Sequence, residues 1–64
     1  MSNKIPRVGE KVRVDSDIGI ITHVYLPDGH HSGRFIVYFD LGYRKYSYEF
    51  WFSDYGESVK PLLK

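Results

Sequence analysis

The stretch FIVYFDLGYRKYSYEFWF, Phe35 to Phe52, decides how this chain folds. It carries nine of the chain's eleven large rings: Phe35, Tyr38, Phe39, Tyr43, Tyr46, Tyr48, Phe50, Trp51 and Phe52. Aromatic and β-branched residues suit a pleated surface, and the run is interrupted only at Leu41-Gly42-Tyr43-Arg44. It therefore reads as two strands joined by a tight turn. Strand alternation puts Phe35, Val37 and Phe39 on one face of the first and Ile36 and Tyr38 on the other. In the second, Lys45 to Phe52, the residues Tyr46, Tyr48, Phe50 and Phe52 oppose Ser47, Glu49 and Trp51. Gly42 is expected at positive φ, with Asp40 organising the turn through its own carboxylate.

Outward from this hairpin the pattern stays that of short strands. Val8 to Val14 alternates, with Val12 and Val14 inward and Lys11 and Arg13 outward. Asp15-Ser16-Asp17 is turn chemistry. Ile18 to Tyr25, IGIITHVY, is a strand whose apolar positions slip by one between Ile21 and Val24. A bulge at Thr22-His23 would bring both to the core face, and Gly19 would allow a bend or a close backbone approach. Leu26 to Arg34, LPDGHHSGR, is a long hairpin loop. Ser53 to Glu57 supplies at most one short 3-10 turn, and Ser58 to Leu62 is a last extended segment that Pro61 confines to an edge or strand end. Met1 to Arg7 is read as a flexible lead-in and residues 8–64 as a single domain.

Five short strands at this spacing predict an all-β fold, a strongly bent antiparallel sheet closed into a small barrel. Its expected interior is Val12, Val14, Ile21, Val24, Phe35, Val37, Phe39, Phe50 and Leu62, with one or two tyrosines. At 64 residues the chain is near the lower limit for independent folding, and with no cysteine it has neither disulfides nor thiolate metal sites. Its resource is aromatic bulk, since each large ring buries roughly 150–250 Å². A formal charge of +1 argues against a strong non-specific nucleic-acid binder. No apolar run approaches the ~20 residues that span a bilayer, and MSNKIPR lacks the apolar centre of a signal peptide. The expectation is a cytoplasmic protein with no membrane partner, of a size that suits a bacterial or phage accessory protein.

Gly19-x-Ile21-x-x-Val24, Val37-x-Phe39-Asp40-x-Gly42 and Val59-x-Pro61-Leu62 resemble the SH3-like barrels of the Tudor and KOW kind, across nearly all of Val8 to Leu62. The resemblance implies a five-stranded SH3-like barrel. Tudor domains hold methylated Lys or Arg in an aromatic cage. Phe39 and Tyr43 stand where such rings arise around the third and fourth strands, while Asp15-Ser16-Asp17 and Ile18 stand where further rings would be expected. KOW modules, by the same resemblance, touch RNA or the ribosomal and transcription machinery. A similar small barrel occurs in type II dihydrofolate reductase, but that enzyme's Val-Gln-Ile-Tyr run is absent, with YSYEF at about that strand.

Candidate chemistry is sparse. His30 and His31 sit in a Gly-flanked loop, and with His23 and Asp28 they read as exposed histidines rather than a metal site. No nucleophile–base set and no phosphate-cradling loop is identifiable. No catalytic, cofactor or metal residue is expected, and the chain reads as a non-enzyme. The aromatic surplus says more. In Phe50-Trp51-Phe52, at least one ring must leave the core face of a regular strand. Ile20, Tyr25, Ile36, Tyr38 and Trp51 share outward parity. The leading expectation is therefore an adaptor or regulator that binds a protein partner, or itself, through Tyr25, Ile36, Tyr38 and Trp51. The alternative is RNA or single-stranded DNA at Arg34, Tyr43, Arg44, Lys45 and Tyr46, where basic side chains neighbour rings.

Overall fold

The computed structural model describes residues 5–62; positions 1–4 of the lead-in and 63–64 lie outside the described residues. Five strands form: β1 (Lys11–Val14), β2 (Asp17–Tyr25), β3 (Arg34–Asp40), β4 (Lys45–Trp51) and β5 (Val59–Pro61). They make one antiparallel sheet in the order β4-β3-β2-β1-β5. A 3-10 turn at Phe52–Asp54 is the only helical element among the described residues. None of their helices is long and apolar enough to cross a membrane. The hydrogen-bonded ladder is open rather than closed: β4 and β5 are its two edges.

The central hairpin forms as its residues dictate. Asp40 Oδ1 accepts the Gly42 amide at 3.0 Å, and Gly42 holds φ +89°. The β2–β3 register shifts between Ile21 and His23, leaving Thr22 as the extra residue, so that Ile21 and Val24 both reach the core side. At Gly19 the backbone of β2 meets β3 with no room for a side chain. A Cβ there would stand 2.6 Å from Val37 Cγ1 and 2.8 Å from the Tyr38 carbonyl oxygen.

Three expectations need correction. β1 begins at Lys11, not Val8. Gly9 takes φ +93°, and the Glu10 amide closes a turn on the Arg7 carbonyl at 3.1 Å. β4 stops at Trp51 instead of Phe52, because Phe52 begins the 3-10 turn, closed by the Tyr55 amide on the Phe52 carbonyl at 3.0 Å and capped by Asp54 Oδ2 on the Trp51 amide at 3.1 Å. Leu62 is 37% exposed, and Val59 takes the core place instead. The two lie three residues apart and so face opposite ways, and pairing of Val14 with Val59 sets which one points in.

The buried core is Val12, Ile21, Phe35, Val37, Phe39, Phe50 and Val59, with Val14, Val24, Tyr46, Phe52 and Tyr55 packed around it. Every strand contributes. Phe35 is its centre, with ring centroids 5.8 Å from Phe50, 6.3 Å from Phe52 and 5.9 Å from Tyr55.

Candidate functional site

Inward parity on β2, β3 and β4 goes to the core except at Tyr48, which leaves the opposite face as the main candidate surface of this sheet. The register there sets three rows side by side. Tyr25, Arg34 and Trp51 form the first row, His23, Ile36 and Glu49 the second, and Ile20, Tyr38 and Ser47 the third. Tyr25, Ile36, Tyr38 and Trp51 thus share one face of three adjacent strands. Tyr25 and Trp51 are exposed, and Ile36 and Tyr38 are half-buried.

The first row is held by charge and stacking. The Arg34 guanidinium lies over the Tyr25 ring at 4.6 Å, while its Nε meets Glu49 Oε2 at 2.6 Å. His23 also stacks with Tyr25, with centroids 6.3 Å apart and planes within 5°. The same face also carries Ile20, outward by parity and 40% exposed, and Ile18, 51% exposed, which the expected binding residues do not include. With Lys11, Gly19, Tyr38 and Asp40 they line a shallow depression on the sheet. Strand parity places Ile18, two residues before Ile20, on this face as well.

Of the residues expected to form a nucleic-acid site, Arg34 is set apart from Tyr43, Arg44, Lys45 and Tyr46. Arg34 pairs with Trp51, whereas Asp40 pairs with Lys45 at the other end of the hairpin. Six residues of strand, about 20 Å, separate Arg34 from Asp40 and the turn. Tyr46 faces inward, stacked on Phe39 at 5.0 Å, with the Arg44 guanidinium 4.9 Å from its ring. Of the two rings, Tyr43 is the one fully presented, 88% exposed at the turn, with Arg44 and Lys45 exposed beside it.

A groove opens on the inner face beyond the core, lined by Val14, Asp15, Asp17, Phe39, Tyr46 and Tyr48. Tyr46 Oη donates to Asp17 Oδ2 at 3.4 Å, and burial, reinforced by the Asp17 charge, raises its phenol above the ordinary range. Tyr48 has inward parity yet is 60% exposed, tilted on Phe50 at 5.1 Å. Tyr55 Oη donates to Glu10 Oε2 at 2.5 Å, and burial and that bond push its phenol well above its usual value.

The histidines do not converge. His23 belongs to the outer face, while His30 and His31 lie in the β2–β3 loop, where Asp28 Oδ1 accepts both their amides at 2.8 and 2.7 Å. Those bonds hold the Asp28 carboxyl below the ordinary range. Among the described residues, no three His, Cys, Asp or Glu side chains stand close enough to share a metal ion. Comparison of the chain with protein-family models, with curated proteins and with solved structures found no match.

Proposed function

We propose that this chain is a non-catalytic binding module, an SH3-like barrel that docks a protein partner on its outer sheet face as an adaptor or regulator. The observation that carries the reading is the coincidence of Tyr25, Ile36, Tyr38 and Trp51 on adjacent strands, with exposed Ile18 and Ile20 beside them. Contiguous apolar surface of this kind marks interaction sites on small soluble domains. Tyr, Trp and Arg are also the residue types that dominate binding energy at interfaces, and here Arg34 sits between a Tyr and a Trp. The barrel is supported by the core. Phe50 and Val59 come from opposite edges, which a flat sheet would hold roughly 19 Å apart, yet both enter one buried cluster. Such a sheet must curl over its inner face. The proposal includes a cytoplasmic setting, which a cysteine-free sequence suits.

Capture with the wild-type chain, followed by direct titration of the captured protein, tests the reading. Trp51→Ala is expected to weaken that binding about thirtyfold, the effect of losing a central aromatic anchor, and Tyr43→Ala to leave it unchanged. Equal affinity of the Trp51→Ala and wild-type chains would overturn the outer face as the site.

Exposed Tyr43 beside Arg44 and Lys45 favours a second reading, a small single-stranded nucleic-acid contact at the hairpin tip. An amide-resonance titration with mixed oligonucleotides separates the two. Shifts confined to Tyr43–Tyr46 and weakening about sevenfold for a fourfold rise in salt, as two neutralised phosphates would require, would establish this reading. No shift at low salt removes it.

A further inference from the structure

The free rim of β4 has its own chemistry, separate from either face. At one end of the β3–β4 hairpin the Leu41 amide donates to the Arg44 carbonyl at 2.8 Å, and at the other the Phe52 amide donates to the Gly33 carbonyl at 2.9 Å. Between them the register pairs Phe39 with Tyr46, Val37 with Tyr48 and Phe35 with Phe50. Antiparallel ladders alternate bonded and non-bonded pairs, so Tyr46, Tyr48 and Phe50 spend their backbone groups on β3. Lys45, Ser47, Glu49 and Trp51 therefore turn theirs away from β3, toward a side where no strand of the described residues lies. Asp54 already occupies the Trp51 amide. Among the described residues the amides and carbonyls of Lys45, Ser47 and Glu49 remain without a partner, on three exposed residues.

We propose that a second copy of this chain pairs along this rim, β4 antiparallel to β4, about a twofold axis at Ser47. Ser47 then faces the partner's Ser47, Lys45 faces the partner's Glu49 and Glu49 faces the partner's Lys45, giving about six backbone hydrogen bonds. The argument for a second copy is charge complementarity. The rim reads positive, neutral, negative at Lys45, Ser47 and Glu49, which is its own complement when reversed. Edge strands ordinarily carry charge that discourages pairing. Here an axis at Lys45 or Glu49 would set like charges together, and an axis at Tyr48 would leave both unpaired. The Ser47 register alone satisfies them. Arg34 occupies Glu49 Oε2 and leaves Oε1 for the partner's Lys45. On the inner side Tyr46 faces the partner's Tyr48, covering the one inward ring of β4 that the core leaves 60% exposed. Both outer faces then lie on the same side of one continuous sheet.

Sedimentation equilibrium of the full chain tests the pairing. The wild-type mass should rise with concentration from one chain to two. Ser47→Pro should remain monomeric, because it removes a rim amide while an edge strand tolerates proline whose missing N–H faces solvent; circular dichroism reports whether it is folded. Lys45→Glu and Glu49→Lys should each weaken association about tenfold. An equal mixture of the two should restore it, since one then carries Glu at both positions and the other Lys at both. A wild-type chain monomeric at every concentration, a folded Ser47→Pro chain that still dimerises, or a mixture no tighter than its components would each overturn the proposal. If Ser47→Pro does not fold, the mixture decides. The pairing goes beyond the outer-face reading and does not need it: Trp51-dependent partner binding by a strictly monomeric chain overturns the pairing alone.

Discussion

Gly19→Ala tests the packing on which both faces of the sheet depend. The new Cβ would lie 2.6 Å from Val37 Cγ1, 2.8 Å from the Tyr38 carbonyl oxygen and 2.9 Å from Phe39 Cδ1, against ordinary contacts of about 3.5–4.0 Å. None of the three can step aside cheaply. Val37 is fully buried and, being β-branched, is stiff at χ1. The Tyr38 carbonyl is backbone, so β3 itself must shift away from β2. Overpacking of this kind costs about 1–3 kcal/mol, and the backbone contact argues for the upper half of that range. Loss of glycine's freedom in the unfolded chain returns about 0.4–1 kcal/mol, leaving a net loss of roughly 1–2.6 kcal/mol. For a domain near this size that lowers Tm by about 4–21 °C. The assay is thermal unfolding followed by circular dichroism, paired with Gly29→Ala, where a Cβ meets nothing within 4 Å. Gly29→Ala should be neutral or slightly stabilising. A Gly19→Ala chain as stable as wild type, with an unchanged amide spectrum, would show that the close approach of β2 to β3 does not constrain this sheet.

Phe35→Ala removes the ring at the centre of the aromatic cluster, at a cost of about 3–5 kcal/mol; that equals the whole stability expected of so small a core, so urea titration should show an unfolded chain before denaturant is added. Tyr55→Phe deletes the donor to Glu10 and should cost roughly 1–3 kcal/mol at neutral pH. Because the Tyr55 phenol is raised on folding from 10.0, its contribution is complete below pH 10 and is lost as pH rises through the folded value. Denaturant midpoints should therefore fall less steeply above pH 10 in Tyr55→Phe than in wild type, and parallel slopes would contradict the Glu10 bond. Asp28 is shifted the other way, so its contribution is present above 3.8 and lost as acid reaches its folded value. The His30 and His31 amide resonances should show a transition below 3.8 in wild type that is missing from that acid range in Asp28→Asn.

What was legible in the sequence is what strand parity and turn chemistry control. Phe35, Val37 and Phe39 against Ile36 and Tyr38 follow from alternation alone, and the one-residue slip between Ile21 and Val24 located the bulge. Asp40 and Gly42 announced their turn. The misreadings sit where a local hydrogen bond ended a pattern that the side chains would have continued. Val8 alternates with Val12, but Gly9 turns the backbone first. Phe52 keeps the parity of β4, but Asp54 takes the preceding amide. Tyr48 has inward parity, yet the core does not reach it, and no periodicity records where a core stops. Arg34 was grouped with Tyr43 to Tyr46 by charge, whereas hairpin pairing sends it to Trp51, at the far end from the turn.

In β4 two alternations coincide. Side chains alternate between faces, backbone groups alternate between neighbours, and both have period two. The residues that present side chains outward, Lys45, Ser47, Glu49 and Trp51, are therefore the same ones that present backbone to the rim. The inward rings Tyr46 and Phe50 are the ones bonded to β3. One hairpin consequently separates three tasks by residue number alone. Phe50 and its β3 partners build the core, Trp51 with Tyr25 and Arg34 shapes the outer face, and the backbone of Lys45 to Glu49 forms the rim. Truncating Trp51 to Ala alters a face and leaves its amide with Asp54, so the rim keeps its hydrogen bonds. Proline at Ser47 alters the rim and leaves every ring in place. That separation is why face binding and edge pairing can be tested independently in a chain too small to house them in different domains.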